Sequence, residues 1–309
     1  METTNHATGN DVDYAAIVAT SERLAWTVDE IFLGRRFDAR KQIVPESWAD
    51  TRHLPFLNAH EQLALNHIRA FSYAHLFGNF EEFVPLHLVE IAERDWYGDR
   101  AHLRALFRFG DEELKHQELM LRAEAVLESA CGHAFGRYFD PQKHRVAEFT
   151  KALLSYLPLP RFLLLAALEW GTQRHYVQSV KDGAGCDALY ADLLEYHWVE
   201  ESQHIRTDVL EIRRLARDMS AEERTAAFDQ VLSIAALVDE IFVGQVGQEL
   251  ATFERVTGRR LSEPEAGALN ETLCRSMRAI FAEVGLTHPQ FKRLALELSR
   301  EGAAKLGIA

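Results

Sequence analysis

The 309-residue sequence is short of several things, and each shortage excludes a class of protein. Three cysteines, Cys131, Cys186 and Cys274, are odd in number, far apart and without Cys-x-x-Cys spacing, which argues against a disulfide framework and a thiolate metal site. Glycine (17) and proline (8) together make about 8% of the chain, below the roughly 12% of average usage. A chain so poor in turn formers is expected to be mostly helical, and no segment shows the sustained alternation of a half-buried strand. Basic residues are outnumbered, 34 Lys and Arg against 47 Asp and Glu, and the formal charge of −13 argues against nucleic-acid and anionic-membrane partners. The longest clean apolar run, Phe162 to Leu168, is far short of the roughly 18 residues of a membrane span. The opening METTNHATGNDVDY has neither a basic nor an apolar stretch, so it does not read as a secretory signal, and a cytoplasmic location is expected.

What is present is a 47% hydrophobic chain, which excludes wholesale disorder, and 14 histidines that neither charge nor helix formation calls for. The patterning suggests one helical domain over 1–309, with 1–10 disordered. Helical periodicity begins near Asp11 and runs towards Phe37, and Pro45 to Pro55 reads as a connector. A long helix is predicted from Ala59 to Asp95, with Gly78 and Pro85 as irregularities. After a break at Tyr97-Gly98-Asp99 a second runs from Arg100 to Ser129. Asp140-Pro141 opens a short helix that Pro158 and Pro160 end. A third long helix covers Phe162 to Val180, Asp182 to Gly185 turn, and a fourth covers Asp187 to Asp218. Short connections make the partners of each hairpin antiparallel, so 59–218 is predicted to be a four-helix core and 219–309 a set of packing helices. Capping boxes at Ser220-x-x-Glu223 and Ser262-x-x-Glu265, and a Thr287-His288-Pro289 entry, mark those later helices. Val28–Gly34 and Val238–Gly244 match at six of seven positions, a similarity to which no function is assigned.

Two Glu-x-x-His motifs occur, Glu113/His116 and Glu201/His204, each able to bind a metal from one helical face. Their number alone carries nothing, because this composition yields about 1.4 such pairs by chance. Their placement carries more. Glu81 lies 32 residues before Glu113, and Glu169 lies 32 before Glu201. Each pair is centred on its hairpin's turn, so each hairpin places a Glu level with a Glu-x-x-His. Apolar residues one and two turns upstream, Leu165 and Phe162 before Glu169 and Phe109 and Leu106 before Glu113, put these carboxylates in a stripe where an unpaired charge is costly. Four carboxylates carry −4, which two divalent cations balance. Glu81 and Glu82 compete for the first position; Glu81 falls about 70° from the apolar face and Glu82 nearly opposite it. His197, four residues before Glu201, adds a further candidate on the same face. Asp111 and Asp208 are candidate acceptors for the ligand imidazoles, and the remaining histidines are expected on the surface or hydrogen-bonded in the core.

The set Glu, Glu-x-x-His, Glu and His-x-x-x-Glu-x-x-His resembles the ferritin-like non-haem di-iron carboxylate oxygenases. Its extra histidine resembles the p-aminobenzoate N-oxygenase (AurF-like) family. The resemblance covers roughly 59–218 and implies an all-α, ferritin-like four-helix bundle with additional N- and C-terminal helices. Its metal ligands would be Glu81 or Glu82, Glu113, His116, Glu169, His197, Glu201 and His204. It further implies two iron ions that activate O2, a small-molecule substrate such as an amine, an external electron donor and a homodimer. Carboxylate and imidazole donors suit manganese, or a mixed Mn/Fe pair, as well as iron. A metal storage or ferroxidase protein, and a helical interaction protein without redox activity, are the alternatives.

Overall fold

The computed structural model describes residues 13–139, 143–181, 185–280 and 284–308. The expected disorder of 1–10 and the Asp140-Pro141 cap lie outside them, as does most of the 182–185 turn. Among the described residues all regular secondary structure is helical, without a strand, and no helix is long and apolar enough to cross a membrane.

Two antiparallel hairpins make the core. The first pairs α3 (Ala59–Glu81), continued by α4 (Phe83–Arg94), with α5 (Arg100–Cys131). After the short α6 (Gly136–Phe139) and α7 (Lys143–Leu154), the second pairs α8 (Pro158–Ser179) with α9 (Ala188–Ala216), and α5 packs on α9 to join them. Three of these helices, α3, α5 and α9, begin where the sequence signals them. Asn58 accepts from the amides of His60 and Glu61 at the start of α3, Asp99 caps α5 and Asp187 caps α9. The third long helix starts earlier than its apolar run suggests, because Pro158 and Pro160 occupy its first turn, where a missing amide costs nothing.

The predicted 59–95 helix is interrupted at Glu82, and Pro85 explains this. Its ring displaces the carbonyl four residues back, that of Glu81. The freed carbonyl accepts a hydrogen bond from Gln117 Nε2 on α5 at 3.2 Å, so the kink is held by the partner helix.

Further helices cover two sides of this core. α1 (Tyr14–Leu24) and α2 (Val28–Phe32) lie on α5 and α9, while α10 (Ala221–Thr257) crosses α3 and α8. Both expected capping boxes form, at α10 and at α11 (Glu263–Arg278), and after the single turn of α12 (Val284–Leu286) His288 caps α13 (Pro289–Leu298). The matching heptapeptides take different courses. The first ends α2 with Leu33 and Gly34 at positive φ, whereas the second continues inside α10. Tertiary context therefore overrides a shared local sequence.

The α3–α10 contact holds an ion pair, Arg69 Nη1 to Glu249 Oε1 at 2.9 Å, with both side chains 1% exposed. Arg69 Nη2 also donates to the Leu273 carbonyl of α11 at 3.1 Å. A pair this deep is costly to form but costlier to break, since one partner alone is an uncompensated buried charge. Glu249→Leu is expected to lower unfolding free energy in urea by about 3–5 kcal/mol. Asp239→Ala, which breaks a half-exposed pair with Arg278, should cost under about 1 kcal/mol. Equal losses in the two variants would contradict this ranking.

Candidate metal centre

Seven of the eight sequence candidates converge between the hairpins. Glu81 comes from the last residue of α3, Glu113 and His116 from α5, Glu169 from α8, and His197, Glu201 and His204 from α9. All are buried, and so are Leu106, Phe109, Phe162 and Leu165, the apolar neighbours that mark the stripe. Glu82, the competing first ligand, is exposed and turned away into an outer groove beside His75 and Glu124. One residue is 100° on a helix, so with Glu81 facing inward its neighbour is carried out of the core.

The donor atoms form two overlapping sets, each able to hold a metal ion. Glu81, His116, His197 and Glu201 form one; Glu113, His116, Glu201 and His204 form the other. Glu201 and His116 belong to both. His197 Nε2 lies 3.0 Å from Glu81 Oε1 and 3.1 Å from Glu201 Oε1. On the other side His204 Nδ1 lies 2.9 Å from Glu113 Oε1 and 3.5 Å from Glu201 Oε2. Glu169 stands slightly outside, its Oε1 4.0 Å from His204 Nδ1.

The donors are left with unused capacity. Glu81 Oε2, Glu113 Oε2 and Glu169 Oε2 are buried and lack any hydrogen-bond partner. Buried polar atoms are nearly always satisfied, so three such oxygens within one cluster fit a bound cation. Imidazole and carboxylate donors suit iron and manganese.

Two further glutamates, absent from the sequence candidates, orient the imidazoles. Glu112 and Glu200 each immediately precede a Glu-x-x-His motif, and each serves the opposite motif. His116 Nε2 donates to Glu200 Oε2 at 3.1 Å, and His204 Nε2 to Glu112 Oε2 at 3.2 Å. Glu200 is held by Lys115 Nζ at 2.6 Å, and Glu112 by Arg108 Nε at 3.1 Å and by the Ser21 hydroxyl of α1. Such carboxylates fix which ring nitrogen is free for a metal. Rings complete the packing, with Phe109 stacked on His204 at 4.0 Å and Phe77 edge-on to His197 at 5.4 Å.

The sequence expectations for Asp111 and Asp208 are corrected. Asp111 is exposed beside Arg108. Asp208 is fully buried, yet neither oxygen has a hydrogen-bond partner, and burial pushes its pKa well up. The expectation of satisfied core histidines also fails at His87, whose buried ring has no partner on either nitrogen, and at Nε2 of His175.

Burial and mutual repulsion raise the pKa of Glu81, with the charge of Glu113 the largest neighbouring contribution. Glu113 is raised for the same kind of reason. Burial would lower His116, but the Glu200 and Glu201 carboxylates more than offset it and lift it to about 10. His204 is raised likewise by Glu201, Glu112 and Glu113, whereas burial beside those two imidazoles drives His197 down. Glu201 is held at about 2, its burial outweighed chiefly by His204.

These geometries define a four-helix bundle that presents carboxylates and Glu-x-x-His pairs inward, the plan of di-metal carboxylate bundles. No protein-family model and no curated protein matches the chain. Among solved structures the chain is similar to an R2-like ligand-binding oxidase with an aerobically reconstituted Mn/Fe cofactor, at 14% identity and TM-score 0.44, over 90% of this chain and 96% of that one. A variant of such an oxidase with the same type of cofactor gives 13% identity and TM-score 0.49, over 87% and 92% of the two chains. Another, with a non-activated Mn/Mn cofactor, gives 14% and 0.48, over 87% and 91%.

Metal ligation requires neutral imidazoles and ionised carboxylates, so protons and metal compete here. The raised His116 stabilises the metal-free fold below the unfolded value near 6.5, and that contribution is lost as pH rises through about 10. At pH 7, filling the site with Mn2+ should release protons, from His116 and His204 and from the raised carboxyls of Glu81 and Glu113, and the His116 share should be lost as pH rises through about 10. Calorimetry in buffers of different ionisation enthalpy reads this directly. Uptake without proton release at pH 7 would contradict the assignment.

Proposed function

We propose that the chain is an O2-dependent di-metal oxidase of the ferritin-like type acting on a small organic molecule. The two ions, both iron or one of them manganese, would be held by Glu81, Glu113, His116, Glu169, His197, Glu201 and His204. The observation that carries this reading is the convergence of these seven buried side chains with three carboxylate oxygens left unpartnered. Such a pair of ions, when bound, supplies the electrons that reduce O2.

The residues themselves do the rest. Four carboxylates balance the charge of two divalent ions in a water-poor core. Glu201, common to both donor sets, ties the two positions together, and Glu112 and Glu200 hold the imidazoles in one tautomer. His197 belongs to the Glu81 set alone, where it stands beside His116 as the second imidazole. An apolar cavity walled by Phe77, Phe80 and Leu165 opens against Glu81 and Glu169, which favours an organic substrate over a storage role.

On this reading the whole chain works as one domain, with 59–218 carrying the metals. It acts as a homodimer in the cytoplasm, takes electrons from an external donor and oxygenates an amine nitrogen, as the resemblance to the AurF-like family implies.

Anaerobic loading with Fe2+ followed by metal analysis and exposure to O2 tests the proposal. About two irons per chain and a transient optical band on oxygen exposure are expected. Glu201→Ala should remove most of the iron, and His197→Ala should change the band while leaving the fold's circular dichroism intact. Fewer than about one iron or manganese per chain in every preparation would refute the proposal.

A further inference from the structure

The exposed apolar side chains are concentrated on one face. Of thirteen large hydrophobic residues exposed among the described residues, seven lie on the hairpin of α4 and α5. Leu86, Val89, Trp96 and Tyr97 come from α4 and the turn after it. Phe107, Leu114 and Leu121 recur at every seventh residue along α5. The two rows form one surface. The ring centroids of Trp96 and Phe107 lie 6.2 Å apart, and at Gly110 the helices are so close that a Cβ there would lie 3.9 Å from the Pro85 backbone. Six of the seven are 47% to 65% exposed, and Tyr97, at the tip of the hairpin, is 94% exposed.

Side chains of this size, exposed to this degree, present on the order of 800 Å2 of largely apolar surface. That exceeds the roughly 300–600 Å2 of the largest patch on a typical monomer, and it matches the roughly 800 Å2 that each partner gives to a standard stable interface. The chain's charge of −13 does not oppose a second copy here, because the rim of the patch carries both signs. Arg94, Arg100 and Arg104 stand against Glu93, Asp111 and Glu118, all exposed. Next to Leu121 the patch runs into the outer groove between α3 and α5, which has room of about 750 Å3. Met120 and Leu121 give this groove an apolar side, and Glu124, 3.2 Å from His75 Nδ1, offers an acceptor within it.

We infer that this face is the contact between two copies of the chain, related by a two-fold axis near Gly110, with Tyr97 of each copy seated in the outer groove of the other. The inference deepens the homodimer of the proposed reading and rests on it for the number of copies. Spacing along the chain supports the axis. Phe107 lies three residues before Gly110 and Leu114 four after it, so an antiparallel copy brings each Phe107 onto the other's Leu114. Tyr97 lies 13 residues before Gly110, and Leu121 and Glu124 lie 11 and 14 after it, so each hairpin tip falls level with the other's groove. One patch then serves both sides, as a closed two-fold dimer requires. An aromatic ring seated in a groove is the kind of anchor that dominates the energy of an interface. α5 carries Glu113 and His116 on its inner side, so the contact braces a ligand-bearing helix from outside.

Sedimentation equilibrium of the purified 309-residue chain, with metal content determined on each sample, tests this. A mass about twice the 35.2 kDa of one chain is expected at micromolar concentration. Leu114→Glu and Tyr97→Ser, both at exposed positions, should each weaken the association at least tenfold. Leu232→Glu, at an exposed position on α10, should leave it unchanged. Tyr97→Cys combined with Leu121→Cys should give a covalent dimer on oxidation, well beyond the yield of either single variant. Within one chain these two positions are about 30 Å apart, too far for a disulfide. A dimer indifferent to Leu114→Glu and Tyr97→Ser would overturn the inference. A monomer holding about two metal ions per chain would overturn it as well, giving the face to a different protein while leaving the oxidase reading intact. A wild-type dimer that takes up no metal would instead refute the oxidase reading and leave the interface standing.

Discussion

Four carboxylates and three imidazoles brought to one level of a helical core are the constraint on which the rest of the structure depends. An apolar bundle would not tolerate them as free charges. Everything around them reduces that cost. Glu112 and Glu200 occupy the outer imidazole nitrogens, Lys115 and Arg108 neutralise those two glutamates, and Phe109 and Phe77 close the apolar shell. The remaining imbalance, three carboxylate oxygens without partners, is where two divalent cations would complete the charge balance.

The same constraint explains the helices outside the core. α1 supplies Ser21 to Glu112, linking a peripheral helix to an imidazole two contacts away. α10 seals the α3–α8 side through the buried Arg69–Glu249 pair. A bare four-helix bundle would leave two of its faces to solvent, and the site would lose the low-dielectric surroundings that make its electrostatics strong.

Much of this was legible in the sequence, and for a physical reason. A helix rises 1.5 Å per residue, so residues equidistant from a tight turn return to the same height, and the two 32-residue separations gave the levels of the carboxylates. Helical phase separated Glu81 from Glu82 by 100°, enough to favour the residue that the structure turns inward. What the sequence concealed were contacts between helices. Glu112 and Glu200 lie 100° away from the inward glutamates, so each faces the neighbouring helix, and nothing within α5 or α9 alone says that a histidine waits there. The repeated Glu-Glu-x-x-His pattern was the available signal. Asp111 and Asp208 were the wrong acceptors because spacing along a helix cannot rank an acceptor on a neighbouring helix.

Anomalous diffraction from crystals soaked with manganese and iron, recorded at both absorption edges, tests the central claim most directly. The account predicts two peaks per chain inside the bundle, one among Glu81, His116, His197 and Glu201, the other among Glu113, His204 and Glu201, with Glu169 drawn in. A single peak, or peaks confined to surface carboxylates, would contradict it.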